Sequence, residues 1–210
     1  MFIPQDILTF LFAAILLNLS PGPDMVYILT RTVSQGRLAG FLSSLGICTG
    51  AMVHVFAAAI GISAILATSA LAFSIIKYVG AAYLIWLGVR ALMSGGKSLQ
   101  PGSGGTKRLS NRRIFLQGAL IDILNPKVAI FFLAFLPQFA DPSRGSIFWQ
   151  LIILGSVVVG IALIIEGLLV LTTGLISERL QGSTVFSKWI DRVSGVVLIG
   201  LGLRLAQQER

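Results

Sequence analysis

Four ionisable residues lie in stretches otherwise too apolar to hold a charge: Asp24, Asp122, Lys127 and Glu166. At mid-bilayer each costs roughly 2.5–3.5 kcal/mol on insertion scales, and an ionisable group kept there is a functional candidate by default. Three of the four flank prolines. Asn18-Leu19-Ser20-Pro21-Gly22-Pro23-Asp24 interrupts the first apolar stretch, and Asp122-Ile123-Leu124-Asn125-Pro126-Lys127 interrupts the fourth. Proline has no N–H to donate and clashes with the preceding turn, so both segments open a helix. Freed carbonyls cannot face lipid and must meet protein or a water-filled cavity. The half-helix that starts after a break offers N–H groups and a positive dipole end, suited to an anion. The half-helix that stops there offers carbonyls, suited to a cation. The candidate binding or coupling residues are therefore Asn18, Ser20, Pro21, Gly22, Pro23 and Asp24 at the first break, and Asp122, Asn125, Pro126 and Lys127 at the second.

Each charge also has a structural reading. Lys127 either binds or gates an anion, or pairs with Asp122 or Asp24. Asp24 either takes part in the chemistry or caps the half-helix after the break. Asp122 is as well suited to a structural polar contact as to a ligand. Glu166 is an isolated acid in the fifth stretch, either a proton carrier or a protonated group bonded between helices. The single histidine, His54, belongs to the group whose charge changes near neutrality, although a packed, neutral, hydrogen-bonded ring is the simpler reading. The proton-carrier candidates are Asp24, Asp122, Glu166 and His54.

The elements that must position these groups follow from composition. The chain has 210 residues, 55% of them hydrophobic and 11% charged, with a mean hydropathy of +0.90. Soluble domains carry about 25% charged residues, so a water-soluble fold and a disordered chain are both excluded. An all-α membrane protein remains. A crossing needs about 20 apolar residues, and six stretches qualify: Ile7 to Leu29, Phe41 to Leu66, Leu71 to Met93, Ile114 to Phe139, Ile147 to Leu171, and Trp189 to Leu205. The last is the weakest, since it opens on Asp191 and Arg192. The start, Met1-Phe2-Ile3-Pro4-Gln5-Asp6, lacks the cationic region of a signal peptide, so the first stretch reads as a retained span.

The reading is one transmembrane domain over residues 1–210: a first three-helix half at 1–93, a basic loop at 94–113, and a second half at 114–210. That loop, Ser94 to Arg113, holds Lys97, Lys107, Arg108, Arg112 and Arg113 with no acid. With Arg31, Arg37, Arg90, Arg179, Lys188 and Arg192, its side of the membrane carries eleven cations against Glu178 and Asp191. The other side has Lys77, Arg144, Arg204 and Arg210 against Asp6, Asp141 and Glu209. Positive loops stay inside, which predicts a cytoplasmic 94–113 loop and both termini outside. The net charge of +8 is thus an orientation signal, and no nucleic-acid partner is expected. Leu19-Ser20-Pro21 aligns with Leu124-Asn125-Pro126, entering from opposite sides, as an inverted three-plus-three repeat requires. Proline-broken segments at matching places in two halves point to a transporter's midplane site. Gly46 and Gly50 form a small-residue pattern for close helix packing. Trp86, Trp149 and Trp189 sit near span ends as interface anchors. One cysteine, Cys48, and one histidine leave no paired-thiol redox centre and no multi-histidine metal site.

At these residues the chain resembles the LysE/RhtB family of amino-acid exporters. The resemblance rests on Ser20-Pro21-Gly22-Pro23 and Asn125-Pro126-Lys127. It extends to Pro137-Gln138-Phe139, Gly36-Arg37 to Gly46, Gly80-Ala81-Ala82-Tyr83-Leu84 to Gly88, and Gly195 to Leu205. It implies a bacterial inner-membrane carrier, not an enzyme, that exports amino acids or related metabolites in exchange for protons. A zwitterion needs an anion site beside a cation site, which is what paired breaks offer. The small number of buried acids favours a neutral residue such as threonine or homoserine. Expected partners are the amino acid, protons and membrane lipid; no cofactor and no resident metal are expected, and a homo-oligomer stays open. The alternatives are a metal-cation exporter of similar layout and a non-transporting membrane scaffold.

Overall fold

The computed structural model describes residues 7–68, 70–93, 108–180 and 184–207, and every regular element among them is helical. The first apolar stretch forms two helices, α1 (Ile7–Leu19) and α2 (Pro23–Gln35), bent by 53° at the Ser20-Pro21-Gly22 break. Continuous helices follow: α3 (Arg37–Thr68, 32 residues) and α4 (Ala70–Met93, 24 residues). The fourth stretch is again two pieces. Helix α5 (Asn111–Ile123) meets the segment from Pro126 to Phe139 at 52°. That segment starts as α6 (Pro126–Ile130), widens into a π turn over Phe131–Phe135 and tightens to a 3-10 turn over Leu136–Phe139. Pro137 offers no N–H to the carbonyl of Leu133, so the α register cannot continue there. Finally come α7 (Ile147–Leu180, 34 residues) and α8 (Thr184–Gln207, 24 residues).

The helices run past the apolar stretches read from the sequence. A single residue, Gly36, separates α2 from α3, and its φ of +89° is the left-handed turn that glycine makes at least cost. Arg31, expected in a connection, lies inside α2 and is 9% exposed. Of the predicted basic loop, residues 94–107 lie outside the described ones, while Asn111 to Arg113 open α5. The N-terminal segment 1–6 and the charges Glu209 and Arg210 also lie outside the described residues.

Among the described residues, two continuous helices are long and apolar enough to cross a membrane, Arg37–Gly61 and Ile147–Thr173; each bent pair, counted as one crossing, brings the number to four. Six were expected. The surface is inside-out relative to a soluble protein. On α3, Leu45, Val53, Phe56 and Ile60 are 46–63% exposed, spaced to form one outward stripe, while Ser43 and Ser44 on the opposite face are wholly buried. Such an apolar stripe is stable only against lipid or another apolar surface. Trp86, Trp149 and Trp189 are all more than half exposed, as membrane-interface anchors require.

The core is a run of aromatic rings on the irregular segment. Phe131, Phe132, Phe135 and Leu136 are at most 1% exposed, with Phe10 of α1 packed among them. Phe135 stacks edge-on to Phe139 at 5.2 Å, and Phe139 to Phe10 at 5.4 Å between ring centroids. Helix packing is reciprocal between the halves: α3 lies on α7, α4 on α8, α5 on α3 and α1 on α7. The α3–α5 seam is the close one. Gly46 and Gly50 bring α3 against the main chain of α5, as their spacing predicted.

Candidate functional site

The backbone defects set up the site. Pro21 removes the N–H that would have bonded the carbonyl of Leu17 four residues earlier, and Pro126 does the same to the carbonyl of Asp122. A buried carbonyl without a donor is costly, and the structure supplies both donors from across the fold. The Lys127 ammonium donates to Ser20 O at 3.0 Å and Leu17 O at 3.5 Å. Asp122 O accepts from His54 Nε2 at 3.2 Å and from the Asn125 N–H at 2.8 Å. His54 is buried, its ring stacked on Phe132 at 6.5 Å. In this contact Nε2 carries the proton, because a carbonyl only accepts.

The two breaks also hold each other. Asn125 Nδ2 donates to both carboxylate oxygens of Asp24, at 3.0 and 2.8 Å. Asn125 Oδ1 accepts from the Lys127 N–H at 3.0 Å and so caps α6. Asp24 lies in the first turn of α2, where the positive dipole end favours its charge. Gly22 leaves room for the lysine: a Cβ there would lie 3.2 Å from Lys127 Nζ. Asn18 donates to Ala14 O at 2.8 Å and reaches Val158 O of α7 at 3.4 Å. Lys127 is thus buried and seated on main-chain carbonyls, with no ion pair to an acid among the described residues.

All of this surrounds a cavity of about 40 Å³ lined by Asn18, Ser20, Asp24, Asp122, Lys127 and Glu166, with an apolar wall from α3, α6 and α7. Glu166 is held by the Ser44 hydroxyl, which donates to Oε2 at 2.6 Å, with Cys48 Sγ at 3.8 Å. Asp122 is only 2% exposed, and its Oδ2 has no hydrogen-bond partner. Of the predicted residues, Asn18, Ser20 and Asp24 from the first break, Asp122 and Lys127 from the second and Glu166 from the fifth stretch line this cavity; Pro21, Gly22, Asn125 and His54 do not. Pro23 and Pro126 shape the breaks from exposed positions.

Ser44 was missed, since a serine on an apolar helix carries no signal. A second network, between α2 and the start of α5, was missed too. Arg31 lies over the Tyr27 ring at 5.4 Å and donates to Gln35 Oε1 at 3.0 Å and Gln117 Oε1 at 3.5 Å. Tyr27 donates to Ile114 O at 2.9 Å, and Gln35 bonds both main-chain groups of Leu109 at 2.9 Å. This ties the end of α2 to the start of α5. Its members are scattered over 90 residues of sequence, so no local pattern marks them.

Asn125 bonds across both breaks, and its replacement gives a first expected result. Asn125→Ala removes the α6 cap and both donors to Asp24 and lowers stability by about 1–2 kcal/mol. Thermal unfolding of the detergent-solubilised protein checks it; an unchanged midpoint would show that other groups replace both roles.

Two discontinuous helices closing on one buried, charged cavity define a membrane translocator. The LysE type translocator family matches residues 15–209, and the chain belongs to that family, whose members are transporters rather than enzymes. An uncharacterised membrane protein of Bacillus subtilis (strain 168), YrhP, is 31% identical over 95% of this chain and 98% of its own. An uncharacterised membrane protein of Vibrio cholerae serotype O1 is 31% identical over 95% of each chain. A leucine efflux protein of Enterobacter sp. (strain 638) is 27% identical over 94% of this chain and 93% of its own. No solved structure matches the chain.

Proposed function

We propose that this protein exports a neutral amino acid from the bacterial cytoplasm in exchange for protons, by alternating access in the plasma membrane. The observation that carries it is the meeting of both proline breaks, with Asp24, Asp122, Lys127 and Glu166, around one cavity. The near-equal bends of 53° and 52° and the reciprocal packing of α3 on α7 and α4 on α8 support six crossings arranged as an inverted three-plus-three repeat. At 24 residues each, α4 and α8 reach about 36 Å, enough to span a hydrocarbon core of about 30 Å. The basic 94–113 connection lies inside and the N-terminus outside.

The cavity has room for only a few water-sized groups. An amino acid is admitted only when the two halves part, as alternating access requires. The apolar wall suits an aliphatic side chain. The leucine efflux relative supports adding leucine to threonine and homoserine as a neutral candidate.

The test is an export-deficient strain expressing this chain, challenged with dipeptides that release single amino acids inside the cell, and with metal salts. Relief from leucine, threonine or homoserine dipeptides is expected. Relief from metal salts alone would identify the rival cation exporter, and relief from none would favour a scaffold.

A further inference from the structure

We propose that Asp122 is the single group at which the proton and the substrate's ammonium compete, so that one carboxylate enforces the exchange. This rests on the carrier reading above and names its coupling residue.

Three carboxyl groups line the cavity, and two are already provided for. Asp24 receives both of its bonds from the Asn125 amide, and Glu166 Oε2 receives the Ser44 hydroxyl. Asp122 alone of the three has a buried oxygen, Oδ2, with no partner. It lies against the α3 backbone: a Cβ on Gly50 would come within 3.1 Å of it, so the glycine keeps a space for this carboxyl. A buried carboxylate oxygen without a donor is expensive unless a proton or a cation satisfies it. The other natural ammonium seat, the carbonyl end of α1, is filled by Lys127. Asp122 Oδ2 is then the buried carboxyl oxygen still without a partner, and so the seat for an incoming ammonium.

Lys127 completes the site. An ammonium has three donors, and the two carbonyls take two of them. The third is left for the substrate's carboxylate. The groups facing Asp122 are Cys48 and His54 from α3, Asp24 from α2, Lys127 from α6 and Glu166 from α7.

The cycle balances as follows. In the empty carrier the Asp122 carboxyl holds a proton. Facing the cytoplasm, it releases that proton to water and the α-ammonium takes its place. Facing outward, the zwitterion leaves with all its own protons, and one proton from outside rejoins Asp122. One proton enters for each zwitterion exported, and one positive charge moves inward.

The test uses the purified full chain in proteoliposomes with labelled leucine, and infrared spectroscopy of the same preparation. In the wild type, an inside-negative potential speeds efflux. Apparent leucine affinity weakens as pH falls, with a limiting slope of about tenfold per pH unit for one competing proton. In Asp122→Asn both responses vanish, and affinity drops at least about tenfold with the loss of one charge-assisted bond. Asp122→Glu restores the pH dependence. Infrared spectra of substrate-free protein read the group without transport. A protonated-carboxyl band that leucine removes is expected in the wild type and absent in Asp122→Asn. A variant that keeps wild-type pH and potential dependence overturns the proposal, as does a band that survives in Asp122→Asn but is lost in Asp24→Asn or Glu166→Gln. If the wild type moves no leucine, the carrier reading fails for that substrate, while the ligand-free band still decides whether Asp122 holds the proton.

Discussion

Lys127→Met stops export. The ammonium is 8% exposed and donates to Ser20 O and Leu17 O across the first break. Its removal leaves those two carbonyls without it and leaves Asp24, Asp122 and Glu166 around one cavity with no cation among them. A buried carbonyl left without a donor costs about 1–3 kcal/mol, and the substrate's carboxylate loses the cation that would hold it. Loss of that charge-assisted contact alone lowers efflux at least about tenfold. Lys127→Arg keeps the charge but not the fit beside Gly22, and it retains the fold with reduced transport. The measurement is initial efflux rate at matched membrane abundance. Wild-type efflux in Lys127→Met would remove the lysine from both the break and the mechanism.

Gly46→Leu abolishes the folded protein. A Cβ at this position would collide with Phe115 O and lie 3.1 Å from Ala119 N, both main-chain atoms of α5. A flexible side chain can turn aside; a helix backbone cannot. Overpacking typically costs 1–3 kcal/mol, and more where backbone must shift, so even Gly46→Ala lowers thermal stability measurably. Thr49→Leu is the control: Thr49 lies on the exposed side of the same helix and tolerates the larger apolar residue. Equal unfolding midpoints for Gly46→Leu and Thr49→Leu would show that the α3–α5 seam is looser than described.

The sequence made the two breaks readable because proline's missing N–H is a local, directional defect. Pro21 and Pro126 identify the carbonyls of Leu17 and Asp122 as orphans by simple counting. Who answers each orphan is a different matter. Lys127 was singled out as a buried cation, but its partners at the first break, Ser20 O and Leu17 O, lie 107 and 110 residues away. His54 was weighed as a proton carrier, and its link to Asp122 O became visible only once α3 was laid along α5. The Gly46/Gly50 seam was legible because close packing leaves a four-residue period. The helix ends were not, since α2, α5 and α7 continue through polar residues that hydropathy excludes. Arg31 shows the cost of that rule: it was sorted with loop cations and is instead buried over Tyr27.

The most direct test of the central claim is amino-acid efflux from loaded proteoliposomes with and without an inward proton gradient. The account predicts that acidifying the outside accelerates leucine efflux from wild-type protein, and that protons enter the vesicles only when leucine leaves. Leucine binding without efflux, or efflux indifferent to the gradient, would contradict it.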